Sequence, residues 1–288
     1  MKTRNVFWSG GIDSTFIVTQ LSQFPVTIRP FYIKGQTFRL SEPWELSATA
    51  EIRDLLLSDT RTKAEILPLE VVEKDDRRVK DRDIVNAHRR IYTRLLEGYK
   101  EQRGGSLPPA GSQQIYADGA FISPQYLSFA SLAKFYGQLF EVGLLRDDFE
   151  IAPSFKKLHT VIETDELTQR GLLRAVDDTP DKDFYELFKL FRFPIAGQRM
   201  YKKDVWNWYK HNSYEYIRAK TIFCQSPVSH NDGTFEPCGI CNSCITVIHE
   251  NVLEPFTPSG LERNRDYEEN HEKEPERFRL KAFSGQKG

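Results

Sequence analysis

The sequence predicts an α/β fold in which helices flank a parallel, Rossmann-like sheet of five strands, with a further helical region after it. Two patterns support this prediction. Strand-like apolar segments alternate with helix-like segments over the first half of the chain, which is typical of right-handed βαβ units. All four cysteines lie between residues 224 and 244, which indicates a different kind of structure in the later part of the chain.

The first βαβ unit begins at residue 5. Residues 5–8 form an apolar strand, a helix follows and ends before Pro25, and residues 26–33 have the β-branched and aromatic side chains of a second strand. Pro30 lacks the N–H group that a central strand donates to its neighbour. We therefore expect Pro30 near a strand end or a bulge.

Later segments extend the alternation. We predict a helix at residues 42–58, a third strand at 64–69, a fourth strand at 114–118, a helix at 124–136 and a fifth strand at 139–144. These five strands complete the sheet.

Three further segments are either rich in charged residues or amphipathic. Acidic and basic residues interleave in residues 75–103, so we predict a solvated helix and loop there and not a nucleic-acid patch. Residues 165–174 and 183–191 have an amphipathic pattern that predicts helices packed on the core.

The chain divides into three parts on this basis. Residues 1–190 form the sheet domain. Residues 191–257, called the cysteine region, pack on that domain. Residues 258–288 are rich in charge and poor in apolar side chains, so we expect a partly ordered tail.

Composition narrows the class of function. The 288 residues have a formal net charge of −1, which argues against a broad nucleic-acid-binding surface and favours a small-molecule substrate. No apolar run is long enough to cross a bilayer, and Met1 leads into the first strand without a signal-peptide pattern. We expect a cytoplasmic protein, with a homodimer as one candidate assembly.

The segment after the first strand, residues 9–15, is called the phosphate loop here. Gly10 and Gly11 let the backbone adopt positive φ and bring its N–H groups close to a ligand, while Asp13, Ser14 and Thr15 stand where a helix begins. A helix N-terminus offers unpaired N–H donors and a partial positive charge, so phosphate is the natural ligand. An ordinary helix start after a glycine turn is the simpler alternative.

The phosphate loop differs from two familiar nucleotide motifs. A Walker A loop needs a lysine before its Ser or Thr, and no lysine lies between Ser9 and Gln23. The spacing G-x-G-x-x-G of dinucleotide-binding folds is also absent.

The cysteines have the spacing C-x13-C-x2-C-x2-C. Four thiolates at this spacing can close a tetrahedral zinc site, which has a structural role because no coordination position stays open for water. An iron–sulfur cluster is the rival, but the first cysteine lies far upstream and no Cys-Pro pair follows. His230 and His249 are nearby alternatives as ligands. The predicted zinc ligands are Cys224, Cys238, Cys241 and Cys244.

Two motifs together carry a resemblance to known proteins. The phosphate loop is similar to the S-G-G-x-D-S pyrophosphate loop of the adenine-nucleotide α-hydrolase-like ATPases. With the cysteines, the chain resembles a divergent member of the 7-cyano-7-deazaguanine synthase (QueC) family. Similar segments are residues 32–36, Glu45 with Ala48, and the segment from Phe193 to Val205. Residues 60–190 show no such match, and the family's P-G-R-N segment is replaced around residues 117–124.

The resemblance implies an ATP-dependent, AMP-forming ligase of queuosine biosynthesis. Such an enzyme activates a 7-deazaguanine carboxylic acid as an acyl adenylate, adds ammonia to give an amide, and converts the amide to a nitrile. Lys203 would then supply the cation that the loop lacks, and Asp13 would orient the loop or hold Mg²⁺. The implied cofactors are ATP, Mg²⁺ and Zn²⁺. The implied catalytic residues are Asp13, Ser14 and Lys203, and the implied nucleotide-binding residues are Ser9, Gly10, Gly11, Ile12, Asp13, Ser14 and Thr15.

Three alternatives remain. In the first, an amine on a protein or another macromolecule accepts the activated deazapurine, as in a phage-defence operon with its own partner proteins. In the second, the enzyme thiolates a tRNA base, which the near-neutral charge disfavours. In the third, the chain is a nucleotide-binding scaffold without catalytic activity.

Overall fold

The computed structural model describes residues 1–35, 40–102, 104, 122–146, 149, 155–230, 234–271 and 273–274. The strands in these ranges are β1 (Lys2–Phe7), β2 (Val26–Lys34), β3 (Glu65–Ile66), β4 (Glu70–Glu73), β5 (Phe140–Glu141), β6 (Thr160–Thr164), β7 (Gly171–Ala175), β8 (Phe191–Arg192), β9 (Val228–Ser229) and β10 (Phe235–Glu236). The α-helices are α1 (Ile12–Ser22), α2 (Glu42–Ser58), α3 (Arg82–Gln102), α4 (Pro124–Tyr136), α5 (Lys182–Phe188), α6 (Pro194–Gly197), α7 (Lys202–His211), α8 (Glu215–Arg218), α9 (Asn242–His249) and α10 (Pro258–Asn270).

The central sheet is parallel and has the order β3-β2-β1-β5-β8, with β4 also paired to β2. The prediction of an α/β fold with a parallel sheet is therefore confirmed. The predicted fourth strand at residues 114–118 lies outside the described residues. The sheet also contains β8, which the sequence analysis did not predict.

The predicted third strand is divided into two short strands. Both β3 and β4 pair with β2, β3 opposite Thr27 and Ile28 and β4 opposite residues 31–34. Pro68 lies in the gap between them, where a missing N–H group costs no ladder hydrogen bond. Pro30 of β2 lies opposite the same gap, so this proline occupies a break in the pairing and not a strand end.

The predicted helix at residues 165–174 is wrong. Strands β6 and β7 form an antiparallel hairpin there. Its turn begins at Asp165, whose carboxylate accepts hydrogen bonds from the backbone N–H groups of Leu167 (2.9 Å) and Thr168 (2.9 Å). Gln169 then adopts a φ of 56°, which no α-helix contains. A side chain that bonds its own backbone in this way favours a turn over a helix.

Two apolar cores lie on opposite faces of the sheet. Successive strand side chains alternate between faces, and Val6 accordingly packs in one core while Phe7 packs in the other. Helices α1, α2 and α7 cover the first face, and α3, α4 and α5 cover the second. The four cysteines belong to the first core, so the cysteine region and the sheet domain share one apolar interior.

The segment predicted as a partly ordered tail begins as helix α10. Its Arg263 donates to the carbonyl oxygen of Cys238 (2.9 Å), and its Asn264 donates to that of Gly239 (3.0 Å). Residues 275–288 of the same segment lie outside the described residues. Within the described ranges, no helix has the length and apolar character that crossing a membrane requires.

Candidate functional site

The phosphate loop joins β1 to α1 in the strand, turn and helix order that the sequence predicts. Gly10 has a φ of 68°, and α1 begins at Ile12. The Ser14 hydroxyl accepts a hydrogen bond from the Ser9 backbone N–H (3.2 Å) and lies 3.2 Å from the Ser9 hydroxyl. The first N–H groups of α1 have no acceptor within the helix, because intrahelical bonding starts with Thr15.

Close packing makes glycine necessary at residue 10. A Cβ atom there would lie 2.7 Å from the carbonyl oxygen of Glu45 and 3.3 Å from the Cβ of Ala48. Glu45 is buried, and its carboxylate accepts hydrogen bonds from the hydroxyls of Tyr32 (2.8 Å) and Ser41 (2.7 Å). The E-x-x-A segment of α2 therefore forms a wall on which the phosphate loop rests.

A cavity of about 280 Å³ opens at the carboxyl ends of β1, β2 and β5. This is the edge of a parallel sheet where α/β proteins bind ligands. Three kinds of side chain line the cavity. The phosphate loop contributes polar groups, the second core contributes aromatic rings, and the cysteine region contributes a further polar wall made of Gln225, Ser243 and Thr246.

An ion pair lies at one side of this cavity. Lys202, the first residue of α7, places its ammonium group against Asp13 Oδ2. The Lys202 side chain is 7% exposed and that of Asp13 is 23% exposed. The other carboxylate oxygen, Asp13 Oδ1, is buried and accepts no hydrogen bond from any described residue. A free carboxylate oxygen in a polar cavity suits a hard cation such as Mg²⁺.

The cation beside the phosphate loop is therefore Lys202 and not Lys203. Lys203 is exposed, and its ammonium group lies 5.9 Å from the ring centre of Tyr201. Helical periodicity could have identified the inner lysine. Lys202 lies on the same face of α7 as the buried Val205 and Tyr209, which are three and seven residues further on.

The four predicted metal ligands come together. All four cysteines are buried, and their sulfur atoms lie within 4.8 Å of one another. The Cys224–Cys241 and Cys238–Cys244 sulfur pairs are each 3.9 Å apart. Zinc–sulfur bonds of about 2.3 Å in a tetrahedron give a separation of about 3.8 Å, so the cluster could hold a metal ion such as zinc.

Backbone groups support the cysteine cluster. The Cys238 N–H donates to Cys224 Sγ (3.3 Å), and the Cys241 N–H donates to Cys238 Sγ (3.2 Å). Hydrogen bonds with the other thiols, first that of Cys224, lower the pKa of Cys238, and the same network raises the pKa of Cys224 and of Cys244, so Cys238 ionises before these two. Gly239 has a φ of 81°, and a Cβ there would lie 2.1 Å from the Gly260 carbonyl oxygen.

The cysteine region also contacts the phosphate loop directly. The Ile222 N–H donates to the carbonyl oxygen of Gly10 (2.9 Å), two residues before the first cysteine. The Tyr209 hydroxyl donates to the carbonyl oxygen of Ile12 (3.2 Å). The two predicted sites are therefore parts of one connected structure, which the sequence motifs alone did not indicate.

Comparison with known proteins found no relative of this chain among family models or curated proteins. A function is therefore assigned from the residues of the chain itself, above all the phosphate loop, Lys202 and the four cysteines.

Proposed function

We propose that the chain is an ATP-dependent ligase that activates a 7-deazaguanine carboxylic acid as an acyl adenylate and transfers the acyl group to ammonia. The observation that carries the proposal is the contact of buried Lys202 with Asp13 in a cavity that the phosphate loop also lines. A cation, a free carboxylate oxygen and helix N–H groups without an intrahelical acceptor are components that can bind a nucleoside triphosphate.

The first step joins the acid to the α-phosphate. A carboxylate oxygen of the acid attacks the α-phosphorus, the bond to the bridging oxygen breaks, and pyrophosphate leaves. The N–H groups of Ile12, Asp13 and Ser14 hold the leaving phosphates, while Lys202 stabilises the negative charge that develops on them. Asp13 would hold Mg²⁺ through its free Oδ1, and the ion would supply further charge neutralisation.

The second step forms the carbon–nitrogen bond. Ammonia attacks the acyl carbon, AMP leaves with its phosphate oxygen, and a proton is lost to give the amide. The amide oxygen then attacks the α-phosphorus of a second ATP and releases pyrophosphate, and loss of AMP together with both nitrogen-bound protons gives the nitrile. The aromatic side of the cavity, which includes Phe7 and Phe129, suits a planar heterocycle. The four cysteines would hold zinc in a structural role only.

The test is nucleotide chromatography after incubation with Mg·ATP, ammonia and 7-carboxy-7-deazaguanine. We expect AMP and pyrophosphate, formed only when the acid is present. ADP as the main product would contradict the proposed cleavage. AMP formed without any response to the deazapurine would contradict only the proposed acid.

Adjacent lysines provide a matched control for this test. Replacing Lys202 with Ala should lower the rate of AMP formation by about 10²–10³-fold, as expected for a group that stabilises charge in the transition state. Lys203→Ala should retain the wild-type rate because Lys203 is exposed and lies outside the cavity lining. Equal rates in the two variants would remove Lys202 from the proposed mechanism.

A further inference from the structure

Glu250 connects the cysteine region to the start of α7. It directly follows α9, the helix that contains Cys244, and its side chain is half-buried. Its two carboxylate oxygens accept hydrogen bonds from the backbone N–H groups of Lys202 (3.2 Å) and Lys203 (2.7 Å). We propose that Glu250 is a positioning residue that fixes the first turn of α7 so that Lys202 reaches Asp13. Its catalytic consequence rests on the proposed function.

Electrostatics explains why α7 needs such a residue. A helix N-terminus carries a partial positive charge, so a lysine at the first helical position is unfavourable. Besides Asp13, which pairs with the Lys202 side chain, the described carboxylates of Glu250 and Asp204 accept from backbone N–H groups at the start of α7, that of Asp204 from the Tyr201 N–H (2.9 Å). Of the Glu250 and Asp204 carboxylates, that of Glu250 comes from outside α7. It therefore sets the position of the first turn and also offsets the partial positive charge there.

Among the described residues, hydrogen bonds to other elements hold both ends of α7. Near its end, Tyr209 donates its hydroxyl proton to the carbonyl oxygen of Ile12 (3.2 Å). At its start, Glu250 holds the backbone of the residue that carries the Lys202 side chain. Loss of the Glu250 contact would free the first turn while the rest of the helix stays in place. A shift of α9 would therefore move Glu250 and the first turn of α7, and with them the Lys202 ammonium group that contacts Asp13.

Glu254 offers a matched control in the same segment. Its carboxylate accepts from Trp206 Nε1 (3.2 Å) in the second turn of α7 and from Arg218 (2.6 Å) in α8. Replacement of Glu254 thus removes a contact between the same two parts of the molecule but leaves the α7 N-terminus intact. A purely structural role for Glu250 predicts similar effects of the two replacements.

Chemical labelling tests the positioning role without any catalytic assay. Folded protein is treated with an amine-acylating reagent, and the labelling rates of Lys202 and Lys203 are measured by mass spectrometry. In the wild type, buried Lys202 should react slowly and exposed Lys203 quickly. Glu250→Ala should speed Lys202 labelling by about tenfold or more, since it removes two charge-assisted hydrogen bonds at the start of α7. Glu250→Gln, which keeps a carbonyl acceptor, should fall between the two, and Glu254→Ala should match the wild type.

Kinetics then separates this inference from the proposed function. Glu250→Ala should lower kcat for AMP formation with little change in KM for ATP, because Lys202 acts on charge that develops in the transition state. If the wild type forms no AMP, the proposed function fails, while the labelling rates still decide the positioning role. If Lys202→Ala loses activity but Glu250→Ala keeps the wild-type labelling and kcat, the positioning role alone is rejected. If Glu254→Ala changed the Lys202 labelling rate and kcat as much as Glu250→Ala does, the positioning role would be rejected as well.

Discussion

At the scale of single residues, neighbours in the sequence occupy opposite environments. Lys202 is buried beside Asp13 whereas Lys203 is exposed. Gly10 and Gly11 differ in backbone conformation, since Gly10 has a positive φ and Gly11 a negative one. A motif therefore locates a site to within a residue, and the backbone direction decides which side chain belongs to it.

Gly10→Ala should destabilise the fold and weaken ATP binding. A Cβ at a φ of 68° is strained, and here it would also lie 2.7 Å from the Glu45 carbonyl oxygen, so the free energy of unfolding should fall by about 1–3 kcal/mol. Urea unfolding measures the change. Gly98→Ala in α3 is the control, because its Cβ would meet open space and should stabilise the helix by about 0.5–1 kcal/mol. Equal stability of wild type and Gly10→Ala would contradict the packing described here.

At the scale of elements, the sequence predicts those parts of the structure that depend on residues close together in the chain. The phosphate loop depends on adjacent glycines before a helix, and the cysteine cluster depends on C-x2-C spacing. The β6–β7 hairpin was missed because its amphipathic pattern also fits a helix, and the Asp165 turn decides between them. Contacts such as Glu250 with Lys202 join distant segments, and no local pattern reveals them.

Metal content tests the cysteine element. We expect about one zinc ion per chain, and removal by a chelator or by Cys241→Ser should lower the thermal midpoint, because metal binding contributes folding free energy. Elemental analysis and thermal unfolding measure the two effects. His230→Ala should keep the full metal content, since the histidine is exposed and four sulfurs complete the site. Iron with matching sulfide in the purified protein would contradict a zinc site.

At the scale of the whole molecule, a buried ion network ties the β6–β7 hairpin to the sheet. Arg4 of β1 lies 2.5 Å from a Glu141 oxygen of β5 and 2.8 Å from an Asp165 oxygen at the hairpin turn. All three side chains are almost fully buried. Burial raises the pKa of Glu141. Burial also acts to raise the pKa of Asp165, but the Arg4 hydrogen bond and backbone N–H groups outweigh it and lower that pKa to about 2.

Acid should therefore weaken the attachment of the hairpin. A carboxyl group with a lowered pKa in the folded state stabilises the protein above its ordinary pKa of about 3.9, and this contribution is lost as the pH falls towards 2. Asp165→Asn keeps an oxygen for the turn but has no charge to titrate. Its unfolding free energy should be lower than the wild-type value at pH 7, with a shallower decline between pH 4 and 2. Parallel curves for the two proteins would show that Asp165 does not contribute to acid sensitivity.

The bond between the Tyr209 hydroxyl and the Ile12 carbonyl joins residues 197 positions apart in the chain. During synthesis the phosphate loop leaves the ribosome well before its partners in α7 and the cysteine region. Domains generally acquire their structure from the N-terminal end as they are made. The phosphate loop therefore gains its contacts with α7 and the cysteine region only after both of these later segments have been made.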